Sequence, residues 1–456
     1  MSDHQHDHVF YGGIHPPDHK ELSKDVPIAV APVPDELWVP LSQHLGAPAK
    51  ALVKPGDAVL RGQLIGEPGG FISANVHSPV SGTVKRFETF ANQMGNPVTA
   101  VVIANDHADK WAEGCDEPQP EDSVFTPQDV IATAKWAGLV GMGGATFPTH
   151  VKLSPPPDKK IDTLIVNGVE CEPYLTADYR LMLEHPREVC LGVKLLKEAL
   201  GAARAFFCIE GNKPDAYAIV KAALEGLGGF AEALLLPTRY PQGAEKQLIV
   251  ACTGREVPSG KLPADVGACV DNVGTAYALY EACYFRRPLT ERVTTVSGEG
   301  VKRPGNFLVR LGTPARALLE MCGFEPERVN KLIYGGPMMG PAHFDLDLPI
   351  VKGSGGVLAL VDAPHYEHGP CIRCGRCVAA CPCKLVPSTF SILGERGRYL
   401  EAKAHDVLDC MECGSCTYVC PSRRPIVQWI KVAKGEIAAE RARQAAAAKA
   451  AAGRAG

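Results

Sequence analysis

The chain has 456 residues, enough for about three domains. Its 46% hydrophobic and 21% charged residues suit a chain that builds real cores, and a formal net charge of −4 gives no basic field for nucleic acid. No run comes near the roughly 18 uncharged apolar residues of a spanning helix, and the opening MSDHQHDHVF lacks the apolar stretch of a secretory signal. A cytoplasmic protein with no transmembrane segment of its own is therefore expected.

Residues 1–26 are polar, with His4, His6 and His8 alternating, and read as a solvated tail. Residues 27–110 read as short strands broken by Gly and Pro turns, as in 53–57, 59–66 and 76–84. They resemble the small β-sandwich of biotinyl and lipoyl carrier domains. The stretch 69–75, where a carrier lysine would stand, has no Lys, which leaves a docking or structural role.

Residues 126–290 alternate helix and strand, the pattern of an α/β layer on a mostly parallel sheet. Thr126, Pro127 and Asp129 form a helix start, with the helix ending near Trp136 and Gly138 just beyond it. Buried strands are expected at 161–166 and 205–209, separated by helices around 187–200 and 213–226. Residues 291–360 read as a β-grasp-like unit, with strands at 293–298 and 306–310 and a helix at 314–322. Residues 365–430 hold the cysteine motifs. The Ala-, Lys-, Arg- and Glu-rich tail 431–456 reads as helix fading into disorder near Gly453. The expected fold class is thus multidomain α/β: an N-terminal barrel-sandwich-like β domain, a Rossmann-like α/β domain, a β-grasp unit and a helical ferredoxin-like end.

Of seventeen cysteines, nine crowd into 371–420. An odd total with metal-type spacing argues against disulfides and for a reducing compartment. Cys371-x₂-Cys374-x₂-Cys377-x₃-Cys381-Pro382 is followed by Cys410-x₂-Cys413-x₂-Cys416-x₃-Cys420-Pro421. This is the bacterial ferredoxin spacing written twice, in which the fourth cysteine of each run ligates the other cluster. One [4Fe–4S] cluster is therefore expected on Cys371, Cys374, Cys377 and Cys420, and a second on Cys410, Cys413, Cys416 and Cys381. Structural zinc uses four ligands per ion, commonly as paired C-x₂-C units, and fits this spacing poorly. Cys383 lies outside the pattern. Arg373, Arg376, Arg423 and Arg424 surround the motifs, as a solvated basic rim or as a surface for an acidic partner.

Residues 136–153 form a glycine-rich loop whose backbone N–H groups can approach a phosphate, with Lys152 adding a positive charge. It is not the dinucleotide G-x-G-x-x-G, and it follows a helix rather than a strand. The strand ending near Val166 runs into Asn167, Glu170 and Glu172, and the carboxyl end of a strand is where α/β sheets place ligands.

The glycine-rich loop with Phe147, Pro148, Thr149 and Lys152, the run 167–173, then Gly243, Ala244, Glu245 and Asn272 and the β-grasp unit together resemble the NADH- and FMN-binding subunit of respiratory complex I over about 126–360. With Gly12-Gly13-Ile14-His15-Pro16-Pro17, the carrier-like domain and the paired ferredoxin motifs added, nearly the whole chain is similar to the RnfC family of the Rnf electron-transport complexes. The resemblance implies that Gly141, Gly143, Lys152, Asn167, Glu170, Tyr240, Gly243, Glu245 and Asn272 hold FMN. It also implies that Gly144, Phe147 and Glu172 face the nicotinamide nucleotide. Met142, Val169 and Ala244 stand where the complex I subunit carries a basic residue, an Asp and a Glu.

What the resemblance implies is an NADH-dependent oxidoreductase component at the cytoplasmic face of a membrane, working with the other Rnf subunits and indirectly with ferredoxin. A flavin takes two electrons as a hydride and releases them singly, and the two clusters carry them on. No side chain is expected to act as an acid or base. Two rival readings are a cobalamin-reducing flavin and iron–sulfur enzyme of microcompartments, and an iron–sulfur relay without flavin.

Overall fold

A computed structural model describes residues 9–120, 122–363 and 366–454, with side chains to 448. The alternating histidines and the last residues of the tail lie outside the described residues. Among the described residues no helix is long and apolar enough to cross a membrane.

The first domain is two small antiparallel sheets. The long hairpin Gly82–Ala91 and Pro97–Asn105 carries Glu36–Pro40 on one side and Ala58–Val59 on the other. Alternate residues of its strands (Leu37, Val39, Val101, Ile103) meet Ile65 and Val76 of the second sheet in a shared core. The loop without a carrier lysine carries Phe71, which is 83% exposed.

The α/β domain is built on a four-stranded, wholly parallel sheet. In spatial order its strands are Glu232–Leu236, Arg204–Glu210, Thr163–Gly168 and Ala268–Asn272. Helices cover both faces, so the strands read as continuous apolar runs such as Leu164, Ile165 and Val166. The predicted helix start is realised as a reciprocal cap, with Thr126 Oγ1 accepting from Asp129 N–H at 3.2 Å and Asp129 accepting from Thr126 N–H at 2.9 Å. Helix Pro186–Leu200 packs closely on Val273–Phe285 because Gly192 lets the Ala276 backbone approach it directly.

The β-grasp unit is a five-stranded mixed sheet with Ala315–Met321 packed on it through Leu318 and Leu319. Its outermost strand is Ala29–Val30, which pairs with Phe307 and Leu308. The division at residue 27 expected from sequence therefore needs correction. The chain first edges the β-grasp sheet and only then enters the β-sandwich.

The expected solvated tail is also corrected over residues 9–26. Phe10, Ile14, Lys20 and Ser23 are buried. The Lys20 ammonium donates to the Glu172 carbonyl at 2.9 Å, and Ser23 and Thr176 hydroxyls lie 2.7 Å apart. The polar sequence hid this because the segment is held mostly by hydrogen bonds rather than by an apolar face.

The domains are bolted together by charged groups. Arg61 and Arg310 each contact both Asp109 and Glu291, joining the β-sandwich to the β-grasp unit. Lys352, fully buried, donates to the Asn75 and Gly138 carbonyls at 2.7 Å each, tying both of those domains to the α/β domain. The helical end, residues 366–454, packs Phe390, Ile426 and Ile430 around the buried cluster cysteines.

Candidate functional site

The site forms along the carboxyl ends of Thr163–Gly168 and Ala268–Asn272. These strands are adjacent and in register, so Asn167 and Asn272 stand side by side. Asn167 Nδ2 donates to the Gly243 carbonyl at 2.8 Å, and its Oδ1 accepts from Val169 N–H at 3.2 Å. Asn272 Oδ1 caps the following helix at Gly274 N–H, while its Nδ2 donates to Asp178 at 2.7 Å. Glu170 accepts from the Asp178 and Tyr179 amides at the start of Ala177–Glu184. Burial and the Glu170 carboxylate push Asp178 up to about 7.

The glycine-rich loop lies across this rim. It closes by two backbone bonds, Gly141 N–H to Phe147 and Thr146 N–H to Gly141, at 2.9 and 3.0 Å. A Cβ on Gly143 would come within 3.3 Å of the Asn272 side chain. Gly144 has φ +112°, a conformation that favours glycine, and Gly143–Ala145 are exposed. The loop is backed from the β-sandwich by Leu45 N–H, which donates to the Thr146 carbonyl at 3.1 Å.

Lys152 reaches the same rim. Its ammonium donates to the Val270 carbonyl and lies 3.5 Å from Glu245 and 3.7 Å from Asp271. Burial opposes the charge, but Asp271 and Glu245 outweigh it and hold Lys152 above the ordinary lysine range. Burial raises Asp271, and Lys152 offsets part of that rise. The ammonium is the firmer charge of the pair because two carboxylates share it.

Met142 and Val169, two of the departures from the complex I subunit, are buried in core clusters. Ala244 precedes the helix Glu245–Thr253. The first two apolar replacements are thus absorbed by packing and leave the Asn and Lys groups in position.

Two predicted residues sit elsewhere. Glu172 was expected to face the nucleotide. Instead one oxygen accepts from Met338 N–H at 3.0 Å and the other from the Tyr240 hydroxyl at 3.3 Å. Burial there pushes Glu172 up to about 7. Tyr240, expected at the flavin, is buried, and its hydroxyl donates to the Cys413 carbonyl at 2.8 Å. The sequence pattern placed both on one rim because it cannot register that the helical end docks against that edge of the domain.

The helical end repeats one backbone conformation. Positive φ recurs at matching places, Arg373 and Glu412, Gly375 and Gly414, Lys384 and Arg423. Each motif then makes a short helix, Arg376–Ala379 and Ser415–Tyr418. The turns aim amides at sulfur: Glu412 N–H donates to Cys410 Sγ at 3.3 Å and Leu385 N–H to Cys381 Sγ at 3.4 Å. Cys381, Cys410, Cys413 and Cys416 together line one cavity of about 330 Å³, walled by Leu385, Phe390, Met411 and Val427. The fourth cysteine of the first motif is therefore grouped with three of the second. Cys383 lines the same cavity, a position its place outside the spacing did not suggest. Among the described residues no three His, Cys, Asp or Glu side chains converge on a point suited to a single metal ion.

The donor sets fit the groups the sequence implies. Four thiols around an apolar cavity, with amides aimed at sulfur, suit a [4Fe–4S] cluster. Glycine amides, two carboxamides and an ammonium at the strand ends suit a flavin nucleotide with its phosphate. Sequence reasoning missed Asp178, Asp271 and the Gly336–Met338 turn. The first two carry no spacing signal, and the third is remote in the chain.

Comparisons with known proteins agree with this anatomy. The RnfC barrel sandwich hybrid domain matches residues 8–108, the Nuo51 FMN-binding domain 134–281, the SLBB domain 293–342 and the 4Fe-4S dicluster domain 370–423. Relatives from three bacteria, each the RnfC-type component of its oxidoreductase complex, align over nearly the whole chain. The chain is 49% identical to that of the proton-translocating ferredoxin:NAD(+) oxidoreductase complex of Clostridium ljungdahlii, over 94% of this chain and 93% of that one. It is 45% identical to that of the Na(+)-translocating complex of Acetobacterium woodii, over 95% and 98%. It is 42% identical to that of the ion-translocating oxidoreductase complex of Rhodobacter capsulatus, over 95% and 84%. With a flavin-binding domain and a dicluster domain joined through one edge, and relatives aligned over nearly its full length, the chain belongs to the RnfC family of ion-translocating oxidoreductase complexes.

Proposed function

We propose that the chain is the nicotinamide-reactive component of a ferredoxin:NAD(+) oxidoreductase complex, exchanging electrons between NADH and its partner subunits at the cytoplasmic face of a membrane. FMN, when bound, supplies the conversion between a two-electron hydride and single electrons. Gly141, Gly143, Lys152, Asn167, Glu170, Gly243, Glu245 and Asn272 hold it along the strand ends. Gly144 and Phe147 border the opening through which a nucleotide enters.

The single observation carrying the reading is the Tyr240–Cys413 hydrogen bond, which joins the two redox domains at a shared edge. It also gives the order of the clusters. The Cys381, Cys410, Cys413 and Cys416 set is proximal to the flavin domain. The Cys371, Cys374, Cys377 and Cys420 set is distal, with Cys374 exposed, and hands electrons to the next subunit. Arg373 and Arg376, both exposed, flank Cys374 at that end.

Anaerobic reconstitution with FMN, iron and sulfide, followed by titration with NADH, tests the proposal. Flavin bleaching followed by cluster signals in electron paramagnetic resonance is expected. Protein that carries iron but neither binds FMN nor responds to NADH would leave only a relay.

A further inference from the structure

We propose that Gly12–Ile14 is a clasp that fixes the proximal cluster loop against the α/β domain, with Gly12 and Gly13 as positioning residues for electron transfer between them. The clasp's redox role rests on the flavin-to-cluster order given under the proposed function.

The clasp is a main-chain bridge between two domains. Gly13 N–H donates to the Ala380 carbonyl, in the residue before Cys381, at 2.9 Å. One residue on, Ile14 and Tyr240 exchange two backbone bonds, at 2.8 and 2.9 Å. Ile14 packs with Tyr240, Ala380 and Cys413, so this three-residue segment touches both ligand loops of the proximal cluster. Upstream, Phe10 anchors it: its carbonyl accepts from Arg239 Nη1 at 3.2 Å, and the Arg239 guanidinium lies over its ring at 5.3 Å.

Both glycines are demanded by space as well as by conformation. Gly12 has φ +75°, and a Cβ there would lie 2.8 Å from the backbone carbon and oxygen of Cys381. Gly13 has φ +84°, and its Cβ would lie 2.8 Å from the Tyr240 carbonyl oxygen. Neither of these obstacles is a flexible side-chain end. Any side chain at Gly12 must push a cluster ligand's own peptide away from the α/β domain.

Without the clasp the remaining ties are few and lateral. Tyr240 bonds Cys413, Gln247 Nε2 donates to the Pro382 carbonyl at 3.2 Å, and Lys384 pairs with Glu256 at the exposed surface. An exposed pair of that kind fixes little.

Two measurements on the full chain test this. In flavin-free protein, amide hydrogen exchange should find Gly13 and Ile14 protected, and exchange at the rate of a free tail would overturn the clasp. In reconstituted protein, Gly12→Ala should leave flavin reduction by NADH and cluster reduction by dithionite unchanged. NADH-driven reduction of the proximal cluster should slow on the order of 10- to 100-fold, the scale of an ångström's misplacement. Its resonance signal should shift, and the distal signal should not. Wild-type rate and signals would overturn the proposal. If Gly12→Ala does not assemble its clusters, Tyr240→Phe takes its place with the same expected direction, and an unchanged rate there overturns it equally. Failure of the wild type to respond to NADH would sink the functional reading instead, while the exchange result still decides the clasp.

Discussion

The Tyr240 hydroxyl donates to the Cys413 carbonyl across 173 residues of sequence, while the Tyr240 backbone pairs with Ile14. One residue thus joins the α/β domain, the N-terminal segment and the second cysteine motif. Because Cys381 faces the same cavity as Cys413, the two motifs must exchange their fourth ligands.

That exchange gives the first prediction. Cys381→Ser should damage the cluster of Cys410, Cys413 and Cys416, though Cys381 belongs to the first motif. Electron paramagnetic resonance of the reduced protein should lose the signal that responds first to NADH and keep the other. Loss of only the distal signal would overturn the crossed assignment and the cluster order with it.

Lys152 is the second test. Lys152→Ala removes the cation shared by Glu245 and the buried Asp271. Breaking a buried pair costs roughly 3–5 kcal/mol, and the lower end is expected because the Lys152 side chain is still 24% exposed. The variant should emerge from gel filtration with much less flavin per protein and a lower melting temperature. Full flavin content would remove Lys152 from the set that holds it.

What could be read in the sequence was what is local. The doubled cysteine spacing, the Thr126–Asp129 cap and the glycines of 141–144 each act within a few residues, so their chemistry is written in their order. Asn167 and Asn272 were legible too, because both end apolar runs that must be buried strands. Residues 9–26 and Ala29–Val30 were not. Their partners lie hundreds of residues away, as Ala29 with Phe307, and a two-residue edge strand has no periodicity. Glu172 was misread for the same reason, since Met338 and Tyr240 claim its oxygens from other parts of the fold.

Gly192 separates packing from propensity. In an exposed helix, Gly→Ala gains about 1 kcal/mol. Here the added methyl would fall on the Ala276 backbone, so Gly192→Ala should destabilise by about 1–3 kcal/mol. Denaturant unfolding of the two proteins compares them directly. A stabilised variant would mean that helices Pro186–Leu200 and Val273–Phe285 can part at no cost.

Lys352 makes stability depend on pH in an unusual direction. Its ammonium donates to the Asn75 and Gly138 carbonyls rather than to a carboxylate, and burial lowers its pKa from the ordinary 10.5 to about 7. Below pH 7 both folded and unfolded chains hold the proton, so the full burial penalty is present and constant. Between about 7 and 10.5 the unfolded chain binds more protons than the folded one, and stability from this group rises with pH, at up to about 1.4 kcal/mol per unit. The neighbouring His44 and His77, which burial and the Lys352 charge hold down near 4 and 3, are neutral when folded across that window. Their unfolded titration is common to wild type and variant and cancels. Lys352→Met should therefore flatten the curve: relative to it, the wild type should gain in apparent melting temperature from about pH 7 to about 9.5, inside the window between the two pKa values. A difference that does not change with pH would mean that Lys352 titrates at its ordinary value and that water reaches the junction of the three domains.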